Sequence, residues 1–305
     1  MRNYENVITA YTIMLLLIIC VGLFQSWSIA LTILNYCLIS AVMTIGANMQ
    51  WGYAGLINFG IMGYTALGGL AVVLVSVEPV KKAWQAGGLN ILLSVWVIII
   101  MVISIRFILK KFNKTKTRSL GILSILIFGI YLIRITATPG IEAIEAVDPA
   151  RYGFLGGLGL PVLLSWIVGA FFAAGLALIV GKIALGLRAD YLAIATLLIA
   201  EIVVSIIKHE EWLARGVKNV IGLKRPAPYE IDLQRSEWFI KIVEKINLGK
   251  LDLIQSISDR QDALNQLVID ASSIYVKLCF TGLFLSVVII LLIITQKALY
   301  SPWGR

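Results

Sequence analysis

Charged residues are what this chain lacks most. From Val7 to Val77 there are 71 consecutive residues without one Asp, Glu, Lys, Arg or His. Over the whole chain 14% of residues are charged and 59% hydrophobic, against about 25% and 45–50% in an average soluble domain. That balance excludes an ordinary soluble fold and points to a transmembrane protein. Histidine is nearly missing: the only one, His209, ends an apolar segment and reads as an interfacial residue. Cys20, Cys37 and Cys279 all lie in apolar segments, at spacings that fit no metal or redox motif, and read as packing residues. Catalysis or metal binding built on several His and Cys is thereby excluded, and no cofactor is implied. The phosphate-cradling pattern Gly-x4-Gly-Lys-Ser/Thr is absent. Gly153-Phe154-Leu155-Gly156-Gly157-Leu158-Gly159 lacks the lysine and a preceding strand, and reads as a tight extracytoplasmic turn. No small-x-small cleavage site is followed by a soluble domain, so the first apolar stretch reads as a signal-anchor helix.

What is there is apolar length. Eight apolar segments lie near 8–25, 28–47, 59–77, 88–109, 119–137, 162–181, 190–207 and 274–295, each close to the roughly 20 residues that cross a bilayer. The expected fold class is all-α: a polytopic membrane protein of about eight transmembrane helices, with a broken helix near 48–58, forming one transmembrane domain over 1–305. Arg106, Arg134 and Lys277 stand near segment ends, from which a long side chain can reach the interface. The net charge of +9 sits in short loops, where topology rather than nucleic acid accounts for it. One set of loops holds ten Lys and Arg: Arg2; Lys110, Lys111, Lys114, Lys116 and Arg118; Lys182 and Arg188; Lys297 and Arg305. The opposite short loops hold three, Lys81, Lys82 and Arg151. The richer set is the cytoplasmic one, which puts both chain ends inside and 208–270 outside. In that outer stretch Trp238, Phe239, Ile242, Val243 and Ile246 recur at helical spacing. Two readings stand: an amphipathic helix on the outer leaflet, or a small cap packed on the bundle. In the sixth segment Gly169, Ala173, Ala177 and Gly181 predict a small-residue face that lets a neighbouring backbone approach.

Candidate functional residues come from two places. Asn48-Met49-Gln50-Trp51-Gly52-Tyr53-Ala54-Gly55-Leu56-Ile57-Asn58-Phe59-Gly60 is too rich in glycine and amides for a lipid-facing helix. Irregular backbone at membrane depth persists only where protein buries it or water reaches it. Asn48, Gln50, Gly52, Tyr53, Gly55 and Asn58 are therefore pathway candidates. Their amides either offer donors and acceptors to a passing zwitterion or satisfy the broken backbone, the second being favoured. Glu201 is the other candidate, at the eleventh position of the apolar run Tyr191–Ile207. A carboxylate there costs about 2.5–3.5 kcal/mol on insertion scales. It serves either as a pathway or gating residue or as a hydrogen-bonding partner of a neighbouring helix. Asp190 reads as a helix-start residue.

Three stretches resemble one family, the permease subunits of ATP-driven branched-chain amino-acid importers. They are Gly52–Gly60 followed by Gly63-Tyr64; Gly186-Leu187-Arg188-Ala189-Asp190-Tyr191-Leu192-Ala193-Ile194-Ala195-Thr196-Leu197 with Glu201 after it; and Ser301-Pro302-Trp303-Gly304-Arg305. The second is similar to the family's Leu-Arg-Gly-Asp-Tyr-Leu-Ala-Ile-x-Thr-Leu…Glu signature. The third resembles the Ser-Pro-Phe-Gly-Arg that opens its cytoplasmic coupling segment. The likeness covers about 48–77, 157–207 and 274–305. It leaves 80–156 as an insertion with two extra helices and 223–270 as an expanded loop, and Ile61 stands where many relatives have Gln or His. The resemblance implies a pore of two permease subunits, identical or homologous, two cytoplasmic ATPase subunits, and a periplasmic amino-acid-binding protein. It implies a bacterial inner-membrane location, a surround of membrane lipid and no nucleic acid. The chain itself would be a transport subunit and not an enzyme. Ser301, Pro302, Trp303, Gly304 and Arg305 become ATPase-coupling candidates. Because the family continues past that motif, the 305-residue chain is expected to be C-terminally truncated, able to insert but not to support ATP-driven uptake alone. Two other classes compete. An ion-coupled secondary carrier also uses broken helices and intramembrane carboxylates, but no second copy of the 52–60 motif is present. A membrane-embedded enzyme would need a polar catalytic cluster, and only Glu201 is available.

Overall fold

The computed structural model describes residues 2–111, 116–184, 186–252 and 256–302. Within them every regular element is helical, and there is no strand. In chain order these are α1 (Arg2–Phe24), α2 (Trp27–Asn48), a π-helical turn (Met49–Tyr53), α3 (Ile61–Ser76), α4 (Lys81–Ala83), a second π-helical turn (Trp84–Gly88) and α5 (Leu89–Lys111). There follow α6 (Lys116–Glu145), α7 (Val162–Ala184), α8 (Ala189–His209), α9 (Glu211–Ala214), α10 (Glu230–Arg235), α11 (Glu237–Ile246), α12 (Leu248–Leu251) and α13 (Ile257–Leu299). All eight apolar segments are thus helical. Among the described residues six helical runs are long and apolar enough to cross a membrane: Trp27–Tyr53, Lys81–Lys111, Arg118–Glu145, Val162–Ala184, Ala189–His209 and Ile257–Leu299. The chain is a multi-pass membrane protein by this measure. Two of the eight segments remain. Ile8–Phe24 lies within the 23-residue α1. The other, α3, has 16 residues, about 24 Å against a hydrocarbon core of about 30 Å. It loses length because irregular chain extends to Gly60 and the backbone turns extended at Val77.

The chain forms two compact units, Met1–Asn58 with Arg225–Arg305, and Phe59–Lys224. In the first, α2 starts where Ser26 caps it, its side chain accepting from the Ile29 amide. A Cβ at Gly22 would come within 2.8 Å of the Trp27 ring, so the α1–α2 corner needs glycine. The parallel seam of α2 and α13 is polar. The Lys277 ammonium donates to the Ser28 hydroxyl at 2.6 Å and to its carbonyl at 3.0 Å. Asn35 Nδ2 donates to the Lys277 carbonyl at 3.2 Å, and Thr281 Oγ1 donates to Asn35 Oδ1 at 2.7 Å. Lys277 therefore has a protein partner within the seam. The α13 helix has 43 residues, roughly 64 Å at 1.5 Å per residue, about twice the hydrocarbon thickness. Its first half carries α10 and α11. Phe239 and Val243 of α11 are buried with Ala227, Leu233, Val268 and Val276, and Phe239 meets the Tyr275 ring edge-on at 5.8 Å. Residues 237–246 thus form part of a cap packed on α13, while Trp238, Ile242 and Ile246 stay exposed.

In the second unit α3 packs on α7 and α8. A Cβ at Gly63 would lie 2.9 Å from the Ala200 Cα, and one at Gly169 would lie 3.4 Å from both the Gly68 Cα and the Ala71 Cβ. The buried face of α7 runs Ser165, Gly169, Leu176, Val180 and Ala184. Ala177 lies off it, exposed. A strict four-residue step drifts about 40° per repeat on a helix of 3.6 residues per turn, so the predicted small-residue stripe leaves the contact after Ala173. The α5–α6 pair closes at Gly87, where a Cβ would strike the Gly140 carbonyl. The glycine turn at 153–159 works as a helix cap. Leu158 N donates to Leu74 O at 3.0 Å, Gly159 N to Val77 O at 2.9 Å and Leu160 N to Val75 O at 2.9 Å. These partners satisfy carbonyls that the end of α3 would otherwise leave open. Gly156 and Gly159 take positive φ, +78° and +69°, a conformation glycine adopts without steric cost. Arg215 is buried and bonds the carbonyls of Asn219 and, at 2.5 Å, Ala150, tying two loops together.

Candidate functional site

The interruption predicted near 48–58 is present. At Asn48 α2 gives way to the π-helical turn Met49–Tyr53, and regular helix resumes only at Ile61. Freed backbone groups find local partners: Ala54 N donates to Met49 O at 3.3 Å and Leu56 N to Gln50 O at 2.9 Å. The amides do the same, since Asn58 Nδ2 donates to Gln50 Oε1 at 2.6 Å. Gln50 and Asn58 therefore hold the break in shape. The Asn48 carboxamide occupies the place a Cβ on Gly52 would take, and Gly55 has φ +65° with open space around it. Tyr53 and Trp51 are exposed. On the first unit's side, Thr295 Oγ1 of α13 reaches the Met49 sulfur at 3.5 Å. A cavity of about 750 Å³ follows α2 from Ile33 to Asn48, with Tyr11 and Leu292 among its walls. Asn48 thus ends a groove that carries Ser40 and Thr44 hydroxyls.

In the second unit Phe59 N donates to Thr196 Oγ1 at 3.2 Å, and Thr196 itself donates to Ala193 O at 2.9 Å. Thr196 is 3% exposed. It anchors the chain as it leaves the break, a role that sequence reading did not assign. The signal was the one aliphatic hydroxyl in the Asp190–Glu201 stretch. Glu201 follows Ala200, which is buried against Gly63, and is itself exposed. Among the described residues no hydrogen bond or ion pair reaches its carboxyl. It shares its face of α8 with Ile194, Leu198 and Ile202, all exposed. The candidates therefore divide: Asn48, Gln50, Gly52, Tyr53, Gly55 and Asn58 belong to the first unit and Glu201 to the second.

A smaller cavity of about 360 Å³ in the second unit is lined by Glu78, Arg151, Tyr152 and Phe154. There Lys224 Nζ meets Glu78 at 2.9 Å and holds its carboxyl below the usual carboxylate range by hydrogen bonding and charge. Among the described residues no cluster of three His, Cys, Asp or Glu is placed to hold a metal ion. Of the coupling candidates, Ser301 follows the end of α13 and donates to the Ala298 carbonyl at 2.7 Å, and Pro302 is exposed. Trp303, Gly304 and Arg305 lie outside the described residues, as does Lys114. Comparison of the chain with protein-family models, curated proteins and solved structures finds no match.

Proposed function

We propose that this chain is the permease subunit of an ATP-binding-cassette importer that moves branched-chain or similar amino acids across the bacterial cytoplasmic membrane. The observation that carries the reading is the break at 49–60, on the same residues that resemble the family's first motif. Backbone of this kind between apolar helices belongs beside a protein-lined or water-lined path. In this reading Gly52 and Gly55 keep the break open to close approach, and Asn48 and Tyr53 face the moving solute. Gln50 and Asn58 brace each other, and Glu201 meets a polar partner from the second permease subunit or the water path. The stretch from Ser301 to Arg305 leads to the ATPase, and a periplasmic binding protein delivers the solute. Both termini are cytoplasmic.

The test has two parts. The chain, co-expressed with an ATPase and a second permease subunit from its own gene neighbourhood, should co-purify with them and support leucine uptake that ceases on ATP depletion. Uptake that survives ATP depletion and stops with a protonophore would instead support the second reading, an ion-coupled carrier, which the unpaired Glu201 carboxyl favours. Orientation has its own check: a cysteine at Thr115 should resist an impermeant thiol reagent in intact cells, and labelling there would reverse the topology.

A further inference from the structure

The seam of α2 and α13 opens on one side into a cavity of about 300 Å³. The two helices run parallel, as the Ser28–Lys277 and Asn35–Thr281 contacts show, so residue number measures depth along the cavity. At one end stand Lys277, Thr32 and Glu230; at the other, Ile39, Phe280 and Phe284. Seven residues separate Lys277 from Phe284 and Thr32 from Ile39, roughly 10 Å of helix in each case. The polar end lies level with the first turns of α2 and the start of α10, at the edge of the apolar span. The apolar end lies deeper, where Phe280 and Phe284 stack at 6.0 Å. The cavity is therefore amphiphilic along the axes of α2 and α13.

Its polar end carries one charge of each sign, and both have unused bonding capacity. Lys277 is half-buried. Its ammonium donates twice, to the neutral oxygens of Ser28, and one N–H remains. No carboxylate among the described residues pairs with it. Both oxygens of Glu230 accept from Arg225 Nη1, at 3.1 and 2.9 Å, which leaves each oxygen a second lone pair. A molecule that fits must offer an acid group to Lys277, a primary ammonium to Glu230 and a hydrocarbon tail to the aromatic end.

We propose that this groove binds a glycerophospholipid with a primary-ammonium headgroup, of the phosphatidylethanolamine class. Its phosphate takes the remaining N–H of Lys277, its ammonium takes Glu230, and one acyl chain lies against Ile39, Phe280 and Phe284. An anionic headgroup without an ammonium offers Glu230 no charged donor beyond the Arg225 it already has. A choline headgroup has no N–H to donate. The acyl chain leaves hydrocarbon for hydrocarbon, so its transfer contributes little selectivity, and the charge-assisted headgroup bonds decide it. The inference goes beyond the transport reading and stands without it.

The experiment uses the full chain, purified in detergent and stripped of lipid. It is offered an equal mixture of phosphatidylethanolamine, phosphatidylcholine and phosphatidylglycerol with matched acyl chains, and retained lipid is read by native mass spectrometry. Phosphatidylethanolamine should be enriched about tenfold over each competitor, the ratio that a 1.4 kcal/mol difference gives. Glu230→Gln should retain lipid but lose the preference over phosphatidylcholine. Arg225→Gln, which removes the same ion pair and leaves the carboxylate, should keep it. Phe284→Trp, with gel filtration and unfolding midpoint verified as unchanged, should reduce retention of all three lipids by filling the tail groove. Equal retention of the three lipids by the native chain would overturn the proposal. So would a preference that survives Glu230→Gln, or full retention by a folded Phe284→Trp.

Discussion

In the first unit α2 and α13 meet through side chains that reach across: Ser28, Asn35, Lys277 and Thr281. In the second unit α3 meets α7 and α8 where side chains are missing, at Gly63 against Ala200 and Gly169 against Gly68. Lipid is as apolar as leucine, so the hydrophobic effect does not press helices together in a bilayer; association rests on close packing and on hydrogen bonds between helices. The two seams use these two means separately. Hydrogen bonds work over the length of a side chain, so the polar seam holds while leaving cavities of about 300 and 750 Å³ beside it. Packing through glycine brings main chains together, and at Gly63 it leaves no room for a Cβ. The seams should therefore fail in opposite ways: the glycine seam when atoms are added, the polar seam when atoms are removed.

The largest effect is expected at Gly63. A Cβ there would meet main-chain atoms of α8, which cannot swing aside as a side chain does. Gly63→Val should lower unfolding stability in micelles by about 2–3 kcal/mol. Gly69→Val, with nothing within 4 Å of its Cβ, should stay close to the native value. Equal losses at the two positions would break the comparison. Next comes the polar seam. Lys277→Met removes two bonds and leaves the Ser28 hydroxyl only its 3.3 Å contact with the Ser273 hydroxyl, for about 1–2 kcal/mol. A double-mutant cycle on Asn35→Leu and Thr281→Val should show coupling of about 0.6 kcal/mol, the average for interhelical hydrogen bonds in a bilayer. A coupling near zero would mean that this seam too holds by packing.

A third prediction concerns the break just beyond α2. Gly55 has a left-handed φ of +65°, which disfavours any residue with a Cβ by about 1 kcal/mol. Gly55→Ala should cost about that much stability and, under the proposed function, depress uptake further. Gly46→Ala, inside α2 with open space, should leave uptake unchanged and raise stability by about 0.5–1 kcal/mol. If Gly55→Ala leaves uptake intact, the break has no part in the path. The smallest effect belongs to the exposed pair of Lys224 and Glu78, outside both seams. Because Lys224 lowers the Glu78 carboxyl below its ordinary range, its contribution is present above the unfolded-state value and is lost as pH falls through the folded one. Melting curves taken from neutral pH downward should show a slight drop in that window, absent in Glu78→Gln. Exposed pairs contribute little, so a large pH effect at this site would contradict the burial described.

Much of the architecture was legible because apolar length and charge placement are local properties. Each of the eight segments is helical, and the glycine-and-amide cluster at 48–60 marks where α2 ends and α3 begins. The extent of α13 was hidden by Asp259, Arg260, Asp262 and Asp270, which end the apolar signal before the helix ends. They do so because the first half of α13 packs under a cap of α10 and α11. The candidate site was legible as a break but not in its internal bonding. Gln50 and Asn58 could equally have pointed at a solute or at each other, and the broken helix between them carries no period from which to choose. The role of Thr196 was invisible for the same reason, since its partner is 137 residues away.

The solvent of this protein follows from composition alone. Transfer free energies add residue by residue, so 71 uncharged residues in a row belong in a bilayer whatever they touch, and glycine weakens a helix wherever it stands. Which polar groups meet was decided only by the tertiary structure. A hydrogen bond needs two atoms within about 3 Å, and in this chain the Lys277 ammonium and the Ser28 oxygens are brought that close from 249 residues apart. No sum over single residues contains that distance. It exists only once α2 and α13 lie side by side, because a lysine in the seam must be given acceptor partners there or be expelled from it.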